Sequence, residues 1–226
     1  MKISKKILSV IAGINLACNI SVIPSKAKWF TVGDNVGKSK ITYSIKRNWC
    51  WAYSGSFMLK CMGKEIDYGD FAVQTGHNLD SDNVESIGKV ISTIKNMLPD
   101  EHICKNSVLN YFMCKYKNKK DFLGDLGEVG STVSGLGSNA IFRPENMNYS
   151  ANKLLKSVII DNKMPILVNI KNDQMISHSV VLVGIDLRSH DKIKSVKYWD
   201  PTKGLLEEAF DCFYKKCEYF AYLSSN

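Results

Sequence analysis

The sequence predicts a single α+β domain with a helical N-terminal half and an antiparallel, β-rich C-terminal half. Apolar residues recur at helical spacing in the first half, whereas short runs rich in β-branched and aromatic residues fill the second half. The composition agrees, because 45% hydrophobic and 23% charged residues over 226 positions are ordinary for a globular domain. The chain has no repeats and no evident linker, so one domain is expected.

The first 27 residues are typical of an export signal. Three lysines lie near the start, residues 7–18 are apolar, and Ser25-Lys26-Ala27 provides small residues around a cleavage point. This pattern predicts a secreted protein, extracellular or periplasmic, whose mature domain covers residues 28–226. The apolar stretch is too short to span a bilayer, and no later segment reaches the roughly 18 apolar residues of a spanning helix. A lipoprotein signal ending at Cys18 is the alternative, although Asn15 stands where that signal has an aliphatic residue.

The mature chain carries only a small net positive charge. The formal net charge is +8, but four of the 30 basic residues and none of the 22 acidic ones lie in the signal, which leaves an excess of four positive charges. Such an excess is usual for a solvated surface, so no nucleic-acid partner is expected. The one dense basic run, residues 115–120, is expected to be a loop or a helix face.

Four helices are predicted in order along the chain. Residues 50–62 carry no charge before Lys60 and stop at Gly63, which predicts a buried helix. Apolar residues recur at helical spacing over residues 82–97, a short helix is expected near residues 108–116, and another from 150 to about 161 has Ser150 as its N-cap.

Strands are predicted mainly after Pro165. An extended segment over residues 29–43 precedes the first helix, and four later β-type runs are separated by turn residues; they cover residues 166–170, 178–187, 195–199 and 218–223. The glycine-rich residues 127–137 are expected to form a flexible loop, because they lack the Lys-Ser/Thr that follows in a phosphate-binding loop.

Cysteine usage leaves an odd number of structural thiols. Seven cysteines fall to six when Cys18 leaves with the signal, and to five if Cys50 is reactive. Export permits disulfides, and at most two can then form, with Cys104/Cys114 and Cys212/Cys217 as the nearest neighbours. The cysteines and histidines show no paired metal-ligand spacing, so neither a metal nor another cofactor is expected.

The most informative residue is Cys50, at the start of the first predicted helix in Asn48-Trp49-Cys50-Trp51-Ala52. A thiol is a poor nucleophile until it ionises, and the unpaired N–H groups and dipole at a helix N-terminus favour the thiolate. Cys61 lies about three turns further on the same side and is expected to pack in the interior. A lone cysteine in an apolar helix is more often a core residue than a nucleophile, so Cys50 needs partners.

The candidate base is His178, at the mouth of the apolar strand Ser177-His178-Ser179-Val180-Val181-Leu182-Val183-Gly184. The strand fixes the backbone there while the imidazole ring faces a cleft, although a structural histidine at a strand end would show the same pattern. The other three histidines lie in polar stretches and are expected at the surface; they are His77, His102 and His190.

The candidate orienting residue is Asp200, which ends the next predicted strand in Lys197-Tyr198-Trp199-Asp200-Pro201. A hairpin would bring it beside His178, where a carboxylate accepts the Nδ1 proton and stabilises the imidazolium. The alternative is that Asp200-Pro201 only begins a turn, as Asp-Pro often does.

Taken together, Asn-Trp-Cys-Trp-Ala with its hydrophobic helix, His-Ser-Val-Val-Leu-Val-Gly and Tyr-Trp-Asp-Pro resemble the papain-like cysteine peptidases of bacteria. The small secreted and effector-type members and the bacteriocin-leader peptidase-like domains are the most similar. The resemblance covers residues 44–223 in layout and implies that Cys50 attacks a peptide carbonyl, that His178 transfers the proton, and that Asp200 orients His178. The implied partner is a protein or peptide substrate.

One feature departs from the family's pattern. A glutamine usually precedes the nucleophile and helps the cysteine N–H to stabilise the oxyanion, but residues 43–48 contain none. Ser44 and Asn48 are the candidate substitutes.

Three functions remain open at this point. The first is peptide-bond hydrolysis by a cysteine-type endopeptidase. The second uses the same three residues for acyl transfer or for hydrolysis of a cell-wall amide, because an acyl-enzyme does not dictate its acceptor. The third is an inactive, peptidase-like protein that only binds peptides or a surface partner.

Overall fold

The computed structural model describes residues 27–40, 48–98, 107–113, 147–171, 177–187 and 192–225. Over these ranges the chain combines helices with a seven-stranded antiparallel sheet, so the predicted α+β class is confirmed. In this described part, no helix is both long enough and apolar enough to cross a membrane.

The sheet has the order β2-β7-β3-β4-β5-β6, and β1 pairs with β4 off this path. β3 pairs with β4 from Ser177 to Leu182, and β1 continues the same edge of β4 from Gly184 to Asp186. The central strand β4 is therefore paired on both edges, and its residues 179–186 are buried. The strands are β1 (Trp29–Thr31), β2 (Ser107–Met113), β3 (Ile166–Lys171), β4 (Ser177–Leu187), β5 (Ile193–Asp200), β6 (Gly204–Ala209) and β7 (Cys217–Ser225).

Helix α1 is the buried helix of the domain and packs against β4. Eight of its residues are buried, which leaves no polar face and explains why the segment lacks charge before Lys60. It ends at Cys61, where Gly63 adopts a φ of 86° that favours glycine. The helices are α1 (Cys50–Cys61), α2 (Tyr68–Gln74), α3 (Ile87–Met97), α4 (Met147–Lys156) and α5 (Phe210–Lys216).

Two helix starts differ from the predictions. The stretch expected to begin at residue 82 begins at Ile87, because the Ser86 hydroxyl caps the helix by accepting a hydrogen bond from the Lys89 N–H at 3.3 Å. Ser150 is not an N-cap, since α4 already begins at Met147 and continues as a π-helical turn to Asp161.

The helix predicted near residues 108–116 is wrong, because residues 107–113 form β2. All seven residues pair with β7, from Ser107 opposite Ser225 to Met113 opposite Tyr219. Valine, tyrosine and phenylalanine in this segment favour a strand, and the pairing with β7 satisfies its backbone hydrogen bonds. The partner strand lies about a hundred residues away, so local periodicity did not reveal it.

The suggested Cys212/Cys217 disulfide does not form. Cys212 is exposed on α5, whereas Cys217 is buried and donates a hydrogen bond to the carbonyl oxygen of Phe213 at 3.3 Å. The two thiols therefore face different environments. Cys104 and Cys114 lie outside the described residues, as do the basic run at 115–120 and the glycine-rich residues 127–137.

Candidate active site

Cys50 is the first residue of α1, directly after the N-cap residue Trp49. The Trp49 carbonyl accepts hydrogen bonds from the N–H groups of Ala52 and Tyr53, at 2.9 and 3.1 Å. The N–H groups of Cys50 and Trp51 lie in the first turn, where an α-helix offers no intrahelical acceptor. The thiol therefore stands at the positive end of a twelve-residue helix, and this position favours a thiolate.

A buried hydrogen bond joins the helix of Cys50 to the strand of His178. The Ser54 hydroxyl, one helical turn after Cys50, donates to the carbonyl oxygen of Ser179 at 2.8 Å. Because Ser179 directly follows His178, this contact brings the start of α1 against the start of β4. The two residues are 125 positions apart in the sequence, so tertiary packing alone joins them.

His178 and Asp200 meet across two adjacent strands. β4 and β5 pair from Val181 opposite Trp199 onward, which leaves His178 and Asp200 at the same end of the pair. The His178 Nε2 atom lies 3.2 Å from the Asp200 Oδ2 atom. The expectation that Asp200 binds Nδ1 is therefore wrong: the ring presents Nε2 to the carboxylate and leaves Nδ1 for another partner.

A threonine holds the second oxygen of the Asp200 carboxylate. Asp200 Oδ1 accepts hydrogen bonds from the Thr202 N–H at 2.7 Å and from the Thr202 hydroxyl at 2.6 Å. Asp200 also begins a turn, because its carbonyl accepts the Lys203 N–H at 3.2 Å. The turn and the contact with His178 thus coexist, and the turn fixes the orientation of the carboxylate.

Burial and hydrogen bonding have opposite effects on the pKa of the Cys50 thiol. Burial raises the pKa of the Cys50 thiol, but hydrogen bonds with His178 and Ser179 and the positive charge of His178 outweigh it, and the pKa lies below its usual value. At Cys61 burial dominates and raises the thiol pKa to about 12. The charges of Lys38 and Lys60 lower the pKa of Cys61 but do not offset its burial, whereas the hydrogen bonds and charge at Cys50 do.

The pKa values of His178 and Asp200 are shifted in the directions that favour an ion pair between them. Burial lowers the pKa of His178, but hydrogen bonds to Asp200 and Cys50 and the charges of both raise it to about 9. Burial raises the pKa of Asp200, whereas hydrogen bonds from His178 and Thr202 lower it to about 2. Near neutral pH the site therefore holds a carboxylate, an imidazolium and a thiol whose ionised form is favoured.

Sequence reasoning missed Ser179 as a neighbour of the thiol. Its backbone and its hydroxyl both hydrogen-bond Cys50, and both contacts lower the pKa of the thiol. Its Oγ also lies 3.1 Å from the Asn169 Oδ1 on the paired strand β3. The signal available was a pair of serines, Ser177 and Ser179, flanking His178 at the start of an otherwise apolar strand.

The structure describes only one of the two candidate oxyanion donors, Asn48. Ser44 lies outside the described residues. The Asn48 side-chain amide donates to the carbonyl oxygen of Asp82 at 2.9 Å, and its backbone N–H donates to the Asp82 carboxylate at 3.2 Å. One of the two amide hydrogens of Asn48 is thereby engaged with the loop before α3, and the other is left for a further acceptor.

His77 is not at the surface, contrary to the prediction. It is 7% exposed, its Nδ1 lies 2.8 Å from Glu85 Oε1, and its Nε2 lies 3.2 Å from the carbonyl oxygen of Ser81. Its ring meets those of Trp49 and Trp51 edge-on, with centroids 5.4 and 5.0 Å apart. His77 thus supports both residues that flank Cys50. His102 and His190 lie outside the described residues.

A cavity of about 710 Å³ opens beside α1, one helical turn beyond Cys50. The buried rings of Tyr53, Phe57 and Trp199 contribute to its lining, with Phe57 stacked on Trp199 at a centroid distance of 4.1 Å. Charged side chains also line it, both acidic and basic: Glu65, Asp67, Asp70, Lys40 and Lys60. Its volume is that of a pocket for a small ligand or for a few side chains of a peptide.

Comparisons with known proteins find similarity to solved structures. No family model matches the sequence, and no curated protein matches it significantly. Among solved structures, the fold is similar to the peptidase domain of Streptococcus ComA, a bifunctional ABC transporter involved in a quorum-sensing pathway. The TM-score is 0.43 with 9% sequence identity, over 84% of this chain and 99% of that chain.

No metal centre accompanies the site within the described ranges. There, no group of three or more His, Cys, Asp or Glu side chains is arranged to hold a metal ion. The chemistry available to the described site is that of a polarised thiol, an imidazole held by a carboxylate, and the free N–H groups at a helix start.

Proposed function

We propose that this chain is a secreted, papain-like cysteine endopeptidase, with Cys50 as nucleophile, His178 as acid and base, and Asp200 as the residue that orients His178. The observation that carries the proposal is the chain of contacts from the Cys50 thiol through the imidazole of His178 to the Asp200 carboxylate. The domain spans residues 28–226, and residues 1–27 direct its export.

In the first half of the reaction, the Cys50 thiolate attacks the carbonyl carbon of a peptide bond. The carbonyl oxygen becomes an oxyanion, which the backbone N–H of Cys50 stabilises together with a second donor, Ser44 or Asn48. The His178 imidazolium then gives its proton to the nitrogen of the leaving amine as the C–N bond breaks. An acyl group remains as a thioester on Cys50.

In the second half, His178 is neutral and acts as a base. It takes a proton from a water molecule, the resulting hydroxide attacks the thioester carbonyl, and the carboxylic acid product leaves as the Cys50 thiolate and the imidazolium reform. Asp200 keeps the ring oriented through both halves because its other oxygen is held by Thr202. The same acyl-enzyme would transfer its acyl group if an amine reached it before water.

The cavity beside α1 supports a peptide as the substrate. It is lined by Tyr53, which follows the nucleophile by one helical turn, and by Trp199, the neighbour of Asp200. An apolar floor with carboxylates and ammonium groups around it suits a peptide segment that combines an apolar side chain with a charged one.

The test is alkylation of residues 28–226 by iodoacetamide at about pH 6, with the modified residue identified by mass spectrometry. Cys50 is expected to react fast, and the reaction is expected to slow in His178→Ala. Cys61 is the internal control in the same helix, since a thiol with a pKa of about 12 reacts slowly in both proteins.

Substrate analysis follows the thiol test. Cleavage of a peptide mixture by the wild type and none by Cys50→Ala would support hydrolysis, and conjugates formed with an added amine would favour acyl transfer. Slow labelling of Cys50 that does not depend on His178 would overturn the catalytic proposal and favour a protein that only binds peptides.

A further inference from the structure

A network of polar side chains runs from the Cys50 thiol across strands β4, β3 and β7. The Ser179 hydroxyl, which contacts Cys50, donates to Asn169 Oδ1 at 3.1 Å. The Asn169 amide nitrogen donates to the Ser177 hydroxyl and, at 3.3 Å, to Glu218 Oε2. The Ser177 hydroxyl donates to the same Glu218 oxygen at 2.6 Å. Both amide hydrogens of Asn169 are therefore used on the side away from the thiol.

Asn169 and Ser179 form a buried polar pair in an apolar part of the sheet. They lie opposite each other in the pairing of β3 with β4 and are 8% and 7% exposed. The next pair along the two strands, Val168 opposite Val180, is apolar and fully buried. Buried polar groups are costly unless they are hydrogen-bonded, so each member of the pair depends on the other.

A bulge in β7 brings Glu218 to this pair. Ile170 pairs with Cys217 and Asn169 pairs with Tyr219, so Glu218 is an extra residue between two paired positions. Such a bulge redirects a side chain, and bulges are frequent next to active sites. The result here is a carboxylate within hydrogen-bond distance of the Asn169 amide nitrogen.

The Glu218 carboxylate fixes the direction of the Asn169 amide. A carboxylate only accepts hydrogen bonds, so the amide nitrogen faces Glu218 and the amide oxygen faces Ser179. The Ser179 hydroxyl has a single hydrogen and two acceptors within reach, which are Asn169 Oδ1 and the Cys50 sulfur. A hydrogen bond to an ionised acceptor is about twice as strong as one between neutral groups, so the charge on the sulfur decides which acceptor is used.

We propose that the Ser179 hydroxyl points to Asn169 while the Cys50 sulfur is uncharged and turns to the sulfur when the thiolate forms, and that Glu218 holds Asn169 ready to accept. This inference rests on the proposed role of Cys50 as nucleophile. When the thiolate attacks a carbonyl, the charge leaves the sulfur and the hydroxyl returns to Asn169. The acyl-enzyme then contains no unpaired buried hydroxyl at this position. Asn169 and Glu218 are thus positioning residues that compete with the thiolate for one hydrogen.

Charged groups lie close to both ends of the network among the described residues. His178 contacts Cys50 and is held by Asp200, and the Lys171 Nζ atom lies 3.9 Å from Glu218 Oε1. Removing the negative charge of Glu218 would by itself favour the thiolate. A test must therefore separate this effect of charge from the direction of the Ser179 hydroxyl.

The experiment titrates the Cys50 thiolate by its ultraviolet absorbance, as the difference between each protein and the same protein with Cys50→Ala. Ser179→Ala removes the donor, so the midpoint of thiolate formation is expected to rise by about one pH unit, the size of one hydrogen bond. Glu218→Gln lets the Asn169 amide turn and donate to Ser179, which leaves the hydroxyl hydrogen on the sulfur. Its midpoint is expected to fall by about one pH unit.

The comparison that decides is Glu218→Gln in the Ser179→Ala background. The path is broken there, so no further shift is expected. A shift as large as in the wild-type background would mean a plain effect of charge and would overturn the proposal, as would an unchanged midpoint in Glu218→Gln alone. If Ser179→Ala does not fold, Asn169→Ala breaks the same path and replaces it. Alkylation of wild-type Cys50 and its dependence on His178 test the proposed function separately, so the two failures are distinguishable.

Discussion

The hydroxyl of Ser54 donates a hydrogen bond to the carbonyl oxygen of Ser179 at 2.8 Å inside the core. Ser54 follows Cys50 by one helical turn, and Ser179 follows His178 directly. This contact therefore helps to fix the distance between the thiol and the imidazole, together with the packing of α1 against β4.

Replacing Ser54 by alanine is expected to lower activity more than its distance from the substrate suggests. The variant loses a buried hydrogen bond, which costs about 1–2 kcal/mol of unfolding free energy, and it loosens the approach of α1 to β4. We expect a lower kcat with little change in KM, and slower alkylation of Cys50 at about pH 6. Ser92→Ala, a partly buried serine of α3, is the control; equal kinetics in the two variants would contradict the prediction.

The alkaline limb of the pH–rate profile is expected at about pH 9. The pKa of His178 is raised to about 9, so the imidazolium persists through neutral pH and is lost as the pH rises through that value. The acid limb follows protonation of Cys50, whose lowered pKa moves that limb below the usual range of a thiol. Rates of peptide cleavage measured from pH 4 to about pH 10 check both limbs.

Asp200→Asn is expected to move the alkaline limb toward lower pH. The variant keeps the shape of the side chain but removes the negative charge that raises the pKa of His178. Asp211→Asn, an exposed acidic position on α5, serves as the control for a change of net charge. An alkaline limb that stays in place in Asp200→Asn would mean that another group holds the proton on His178.

Loss of the second oxyanion donor is expected to lower kcat. Ser44→Ala and Asn48→Ala are tested separately, and the variant that removes the donor should lower kcat by about a hundredfold without a matching rise in KM. Asn48→Ala also breaks the contact with Asp82. Asp82→Ala leaves the Asn48 amide and the Asp82 carbonyl in place. This variant therefore separates an effect on the position of Asn48 from the loss of its hydrogen bond to the oxyanion. Unchanged kcat in both variants would mean that the donor comes from elsewhere.

His77→Ala is expected to destabilise the domain and to disturb the start of α1. The variant leaves a cavity beside Trp49 and Trp51 and leaves Glu85 without its imidazole partner, at a cost of about 2–3 kcal/mol of unfolding free energy. Urea unfolding measures the loss, and tryptophan fluorescence of the folded protein reports the changed surroundings of the two rings. Glu85→Gln, which keeps a hydrogen-bond acceptor for His77, is expected to keep most of the wild-type stability. Full stability in His77→Ala would contradict the proposed support.

Several features followed from the sequence alone because they depend on neighbouring residues. An uncharged run that stops at Gly63 is a local signal for a buried helix, and α1 covers residues 50–61. Alternation and β-branched residues are equally local, and the four predicted β-type runs correspond to β3, β4, β5 and β7. The same local signals indicate Cys50, His178 and Asp200, since each stands at the start or end of one of these elements.

Other features were decided by the tertiary structure, because their partners lie far away in the chain. Residues 107–113 form a strand because β7 is there to pair with them, and His77 is buried because Trp49 and Trp51 cover it. The closeness of His178 and Asp200, 3.2 Å between Nε2 and Oδ2, depends on the pairing of β4 with β5. The hydrogen bond from Lys28 to Asp186 crosses 158 positions. The sequence of a single segment shows its periodicity and its caps. Burial, ring orientation and ion pairing depend on the other segments that fold against it.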